Sequence, residues 1–237
     1  MRLDGLISHT AALSRAAARE KIQKGRVTVD GVTLRDPAAH VLDTQAVTLD
    51  GKALNASLAR TLMLFKPEGV LTAAEDSRQK TVMDILPPVY RALGCMPVGR
   101  LDKDTTGLLL LTTDGVLAHR LISPRREIDK VYIARVDGTL SEKDAALFQA
   151  GIPLKDFTAL PATLEILAPD TAKITVHEGK FHQVKRMLHA AGHETLALHR
   201  ASFGPLSLDK ALAPGDMREL TKEETAALYE AAGMTEH

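Results

Sequence analysis

The chain has 237 residues, 45% hydrophobic and 25% charged, with a formal net charge of zero, the make-up of an ordinary globular protein of one or two domains. No apolar run reaches the ~20 residues that cross a bilayer, and the start MRLDGLISHT lacks the apolar stretch and cleavage site of a secretory leader. Cys95 is the only cysteine, which excludes a disulfide framework and a thiolate metal cluster, suits a reducing cytoplasm and marks Cys95 as a packing residue.

Residues 1–54 read as a compact module. Leu3, Leu6 and Ile7 have helical spacing, Ser14 can cap a second helix and Gly25 can close it. VTVDGVTL around Asp30-Gly31 and VTLDGKAL around Asp50-Gly51 each carry a hairpin signal. The zero net charge hides a gradient: residues 1–30 hold six basic residues against three acids, while Gly215 onward holds six acids against Arg218 and Lys222. Arg15, Arg19 and Arg26 recur at intervals of four and seven, with Lys21 off that stripe. The face they form is either solvated or a track for phosphates, which would fix position without reading bases.

NASLAR, 55–60, reads as a linker, and a second domain over 61–232 begins with the apolar TLMLFKPEG, leaving 233–237 as a tail. Beyond it GLLLLT, KVYIARV, ATLEIL, AKITVH and ETLALH are strand-like, interleaved with helical stretches. Ser141 with Asp144 and Thr221 with Glu224 fit capping boxes. A helix over 141–150 followed by two strands around Pro169-Asp170 predicts antiparallel pairing in a mixed sheet, an α+β fold rather than a βαβ repeat.

GRLDKDTTGLLLLTTDG, 99–115, sets two aspartates before four leucines. A calcium-loop reading fails: Thr106 stands at loop position 5, and Thr113 stands where a bidentate Glu is required. Asp104 precedes Thr-Thr-Gly and suits an Asx-type turn, whereas Asp102 can point into a cleft. Tyr132 lies within a strand with Lys130 and Ala134 on its face by period two; it either packs or stacks a base. In HEGKFHQVKRMLHAAGH, His182, Lys185, Arg186 and His189 fall on one helical face, with Val184, Met187, Leu188 and Ala191 facing the core. No HExxH pattern or close carboxylate supports zinc, and Lys185 or Arg186 suits an anion, phosphate or carboxylate.

These three stretches, in this order, resemble the active-site motifs of the bacterial RsuA-like family of pseudouridine synthases, and residues 1–31 resemble the S4 RNA-binding domain that precedes them there. The resemblance spans nearly the whole chain. It implies a small S4 domain of two helices and hairpins, then a catalytic domain with a mixed, largely antiparallel sheet and flanking helices. It implies that Asp102 is the catalytic carboxylate, that Tyr132 packs on the target base and that Lys185 pairs with the aspartate. RNA contacts are expected from Arg2, Arg15, Arg19, Arg26, Arg100, His182, Gln183 and Arg186. HQVKRM is more like the 16S rRNA branch than the large-subunit branch, so the expected partner is 16S rRNA or a small-subunit assembly intermediate. Neither cofactor nor metal is implied, and the expected protein is a cytoplasmic monomer without membrane contact. The alternatives are a 23S rRNA synthase and a non-catalytic S4-type RNA-binding or ribosome-assembly protein. Two residues depart from the pattern: Gly5, where a lysine often follows RLD, and Phe181, where tyrosine is frequent.

Overall fold

A computed structural model describes residues 2–11, 13–42, 45–54 and 60–235. The chain divides into two compact units: residues up to Arg60 with Pro87–Cys95, and Thr61–Leu86 with the residues from Met96 onward. The segment Pro87–Cys95, which lies within the expected 61–232, is grouped with the first unit. Of the expected linker, 55–59 lies outside the described residues.

The first unit contains helices α1 (Leu3–Thr10) and α2 (Arg15–Gln23) and strands β1 (Val27–Val29), β2 (Val32–Thr33), β3 (Val47–Leu49) and β4 (Lys52–Leu54). The strands form one antiparallel sheet in the order β2-β1-β3-β4. Both hairpin turns are made by Asp-Gly pairs with positive φ, 50° and 81° at Asp30-Gly31 and 53° and 77° at Asp50-Gly51, the backbone twist that tight hairpins require. Leu3, Leu6, Ile7, Ala18, Ile22, Val27, Val29 and Val47 pack into one buried cluster. Ser14 caps α2 by accepting from the Ala17 amide.

The arginine stripe is corrected here. Helix α2 stops at Gln23 because Gly25, at φ +72°, turns the chain out of the helical region. Arg26 thus lies beyond the helix and pairs with Asp50, which Lys21 also approaches at 3.5 Å. Arg2 and Arg19 instead converge on the buried Asp4, at 3.1 and 2.9 Å, and Arg15 is exposed. Hydrogen bonding from Arg2 outweighs burial and, with Arg19, holds the Asp4 carboxyl down to about 2. Because that value is depressed, the stabilisation is complete above about pH 4 and is lost as pH falls through about 2. Amide protection factors in α1 and α2 of the full chain, corrected for the intrinsic pH dependence of exchange, should therefore fall over that interval. In Asp4→Asn protection should be lower already at neutral pH and nearly flat from 4 to 2; an unchanged acid profile in the variant would contradict the assignment.

The second unit begins with β5 (Thr61–Lys66) and α3 (Val82–Ile85); α4 (Pro88–Ala92) belongs to the segment grouped with the first unit. Then follow β6 (Met96–Pro97), β7 (Thr105–Thr112), α5 (Gly115–Ile122), β8 (Lys130–Val136), α6 (Glu142–Ala150) and the short pair β9 (Ile152–Pro153) and β10 (Thr158–Ala159). The chain continues through β11 (Thr163–Ala168), β12 (Thr171–Val176), α7 (Gln183–Ala190), β13 (Thr195–Phe203), β14 (Leu206–Ser207), β15 (Met217–Glu219) and α8 (Lys222–Ala231). The main sheet runs β11-β12-β8-β13-β7-β5-β15, with β14 on β13 and β6 on β7. Every pairing is antiparallel except β13 with β7, so the expected mixed, largely antiparallel sheet is present.

Two clusters cover this sheet. Phe148 of α6 and Val184, Met187 and Leu188 of α7 pack with Ala134, Val136, Leu164, Ile174 and Val176. Leu117 and Leu121 of α5 and Leu228 and Tyr229 of α8 pack with Met63, Leu108, Leu110 and Phe203. Leu108–Leu111 are all fully buried, as a central strand covered on both faces requires. Both capping boxes form as expected. Packing extends past residue 232: Met234 joins the second cluster and the Gly233 carbonyl accepts from Arg120 at 3.0 Å.

The parallel junction of β7 and β13 places Gly107 beside Arg200. A Cβ at Gly107 would lie 2.3 Å from the Arg200 carbonyl oxygen, and its φ of +106° is foreign to other residues. Gly107→Ala should cost about 3 kcal/mol or more, read as a lower denaturant midpoint; a loss below about 1 kcal/mol would contradict the close approach.

Candidate active site

A cleft of about 600 Å³ opens in the second unit where the loop before β7, the middle of β8 and β13, and the turn before α7 converge. Its lining includes Arg100, Asp102, Lys130, Tyr132, His182 and Lys185. Strand register explains part of the meeting: Arg200 lies opposite Gly107 on one side and Tyr132 on the other. Residues 100–104 run directly into β7, so the loop bearing Asp102 stands over that same junction.

The loop is pinned on both sides of Asp102. Ahead of it, the Thr72 hydroxyl donates to the Leu101 carbonyl at 2.9 Å and accepts from the Leu101 amide at 3.2 Å. Behind it, the Lys66 ammonium donates to the carbonyls of Pro67, Lys103 and Thr105 at 3.0, 3.2 and 2.9 Å. Lys66 is fully buried, and burial pushes it down to about 8 despite the opposing charges of Asp104 and Asp102. Such fixed support keeps a reactive side chain in one geometry.

Asp102 is partly buried, its side chain 24% exposed. One oxygen lies 3.2 Å from the Lys185 ammonium and the other 3.4 Å from His182 Nε2. Asp104 meets the same ammonium, at 2.5 Å. This corrects the expected division of the pair: the Asp104 carboxylate binds Lys185 rather than the amides that follow it. Burial opposes its charge, but the Lys185 hydrogen bond and charge prevail and lower its pKa. The two acids share one cation.

Tyr132 lines the cleft and also packs against the cluster beneath β8 and β12, so packing and an accessible ring coexist. His182 has φ +51° and precedes α7, and its ring stacks on Phe181 with centroids 3.8 Å apart. Phe181 is 71% exposed, leaving one side of this stack open. Gln183 departs from its expected role. It is buried, its amide nitrogen donates to Glu178 at 2.8 Å and its oxygen accepts from the Lys180 amide at 3.0 Å, so it ties the turn together. Arg186 is also turned elsewhere: it pairs with Asp156 and lies 4.9 Å from the centroid of the Phe157 ring. Arg100 remains exposed on the cleft wall.

Sequence reasoning missed Lys66, Thr72, Lys130 and Arg200. A lysine closing the apolar run TLMLFK was the only signal for Lys66; Thr72 and Arg200 gave none. Among the described residues no group of three or more His, Cys, Asp or Glu is placed to hold a metal ion. Nor is any helix there long and apolar enough to cross a membrane.

Comparison with known proteins agrees with this architecture. Residues 1–47 match the S4 domain and residues 60–190 the RNA pseudouridylate synthase family. The chain is 43% identical to the uncharacterized RNA pseudouridine synthase YtzG of Bacillus subtilis, over 97% of this chain and 99% of that protein. It is 41% identical to ribosomal small subunit pseudouridine synthase A of Escherichia coli, over 96% of this chain and all of that one. A crystal structure of a pseudouridylate synthase, 32% identical, superposes with a TM-score of 0.68 over 96% of this chain and 99% of that chain. The S4 unit, the loop, strand and helix that meet at Asp102 and these full-length relatives agree: the chain belongs to the RNA pseudouridylate synthase family and is an S4-bearing RNA pseudouridine synthase.

Proposed function

We propose that this synthase isomerises a uridine of 16S ribosomal RNA, acting as a cytoplasmic monomer on the rRNA or on a small-subunit assembly intermediate, with Asp102 as its catalytic carboxylate. The observation that carries the site is the meeting of Asp102, Lys185 and Tyr132 in one cleft from stretches some 30 and 80 residues apart. The rRNA class is supported by near-full-length similarity to small-subunit synthases.

In the reaction the N1–C1′ bond breaks, the uracil turns and C5 joins C1′, with the C5 proton lost and one gained at N1. No electron or group donor is consumed. The target uridine must leave its stack, at a cost of a few kcal/mol. Stacking on Tyr132 returns ~1–3 kcal/mol, and phosphate contacts from Arg100 and the first unit's arginines add to it. Attack on C1′, attack on C6 and removal of a sugar proton all need a carboxylate at the reacting atoms, and Asp102, 3.2 Å from the Lys185 ammonium, supplies it.

Mapping pseudouridine in rRNA from cells with and without the gene tests the assignment. Loss of one 16S site is expected. Loss at a 23S site would transfer the enzyme to the large subunit, and an unchanged map would leave only a binding or assembly role.

A further inference from the structure

The cleft holds a second group of charges that the chemistry at Asp102 does not use. Lys130 and Arg200 both line it, yet they are only 7% and 3% exposed. They sit over a single ring, with Phe203's centroid 5.5 Å from the Lys130 ammonium and 5.2 Å from the Arg200 guanidinium carbon. Neither has a carboxylate within ion-pair distance among the described residues. Lys130 donates to the Ile128 carbonyl at 2.6 Å and Arg200 Nε to the Leu108 carbonyl at 2.7 Å. Arg200 Nη2 is buried with no partner.

The nearby acids are committed elsewhere. Glu178 accepts from the Leu160 amide and from Gln183 at 2.9 and 2.8 Å, and Asp129 binds His177 at 2.6 Å. Burial, and then the neighbouring Arg200 charge, pushes Lys130 down to about 8, with Asp129 and Glu178 opposing only at longer range. Buried charges are ordinarily paired, because desolvation without a counter-charge is costly. Two adjacent buried cations and an unmet guanidinium nitrogen offer donors suited to an anion.

We propose that Lys130 and Arg200 form a subsite for a backbone phosphate of the substrate RNA, the one attached to the nucleotide that enters the cleft. This rests on the reading of the cleft as the uridine site. Lys130 and Tyr132 are two residues apart on one strand face, about 6–7 Å, comparable with the reach from a stacked base to its own phosphate. A phosphate carries its charge before any bond breaks, so it offsets the buried cations on binding; a departing uracil anion would do so only in passing. The guanidinium fork and ammonium suit phosphate oxygens.

The test is a charge-deletion cycle. A small-subunit rRNA fragment carries one uncharged methylphosphonate linkage 5′ to the target uridine, 3′ to it, or at a remote position, with the same 2′-deoxy sugars in every arm. Equilibrium binding is measured for the full-length enzyme, Lys130→Met and Lys130→Arg. One adjacent linkage should weaken wild-type binding about tenfold and the remote one much less. Lys130→Met should bind the unmodified RNA about tenfold more weakly yet lose no more than two- to threefold further at that linkage. Lys130→Arg should recover most of the linkage effect. Penalties that multiply independently would overturn the proposal. So would a Lys130→Met enzyme that turns over slowly while its affinity and linkage effect stay intact, since the cation would then serve the departing base. Should Lys130→Met fail to fold, the neutral Arg200→Gln takes its place, with the same coupling expected. Pseudouridine formation by the wild type on unmodified RNA is scored separately. Its absence alongside a linkage-specific binding penalty would sink the assigned reaction while retaining the phosphate subsite.

Discussion

Replacing Asp102 by asparagine should abolish uridine isomerisation, a fall of at least ~10⁴-fold, while RNA affinity changes less than about threefold. The substitution keeps shape and volume and removes only the charge. The loop keeps its position, since Thr72 and Lys66 hold it through the backbone of residues 101, 103 and 105. Lys185 keeps a partner in Asp104, so no buried cation is stranded. The rest of the cleft and the first unit, where the proposed RNA contacts lie, are left unchanged by this substitution. Release of the label from RNA carrying tritium at uracil C5 measures the chemistry, and filter binding measures affinity. A variant that still forms pseudouridine would remove Asp102 from the mechanism.

The second large effect is expected at Lys185. In Lys185→Met two carboxylates face each other without the ammonium that joins them at 3.2 and 2.5 Å. Without the ammonium that lowers the Asp104 carboxyl, that group should hold its proton to higher pH. Turnover should fall about 10²–10³-fold, and the acid limb of the rate profile should move to higher pH. Asp104→Asn should be far milder, a several-fold loss, because Lys185 remains with Asp102. The acid limb separates an electrostatic role from simple misfolding, which would lower activity equally at every pH. Equal and total loss in Asp102→Asn and Asp104→Asn would mean that the two acids do one job together.

The shared lysine shows where reading along the chain stops. Spacing placed Asp102 before a buried strand and Lys185 on the polar face of α7, and both positions hold. That Asp104 turns to Lys185 instead of to its own loop depends on a contact 81 residues away, and no local pattern encodes it. The same holds for Arg186, whose partner Asp156 lies 30 residues back, and for Gln183, for which the family resemblance implied an RNA contact and which the fold buries against Glu178.

The sequence by itself determined the local structure: the Asp-Gly hairpins, the caps at Ser14, Ser141 and Thr221, the leucine strand and the three motif-bearing segments. Each follows from interactions within a few residues, where periodicity and turn chemistry act directly. Only the tertiary structure decided which side chains meet. The parallel junction of β13 with β7, permitted by the missing side chain of Gly107, brings Arg200 between that glycine and Tyr132. Burial then makes Lys66 a prop beneath the Asp102 loop and leaves Lys130 and Arg200 as paired cations in the cleft. A lysine in a sequence is by default a solvated charge. It becomes a structural or binding group only where the fold removes water and supplies, or withholds, a partner.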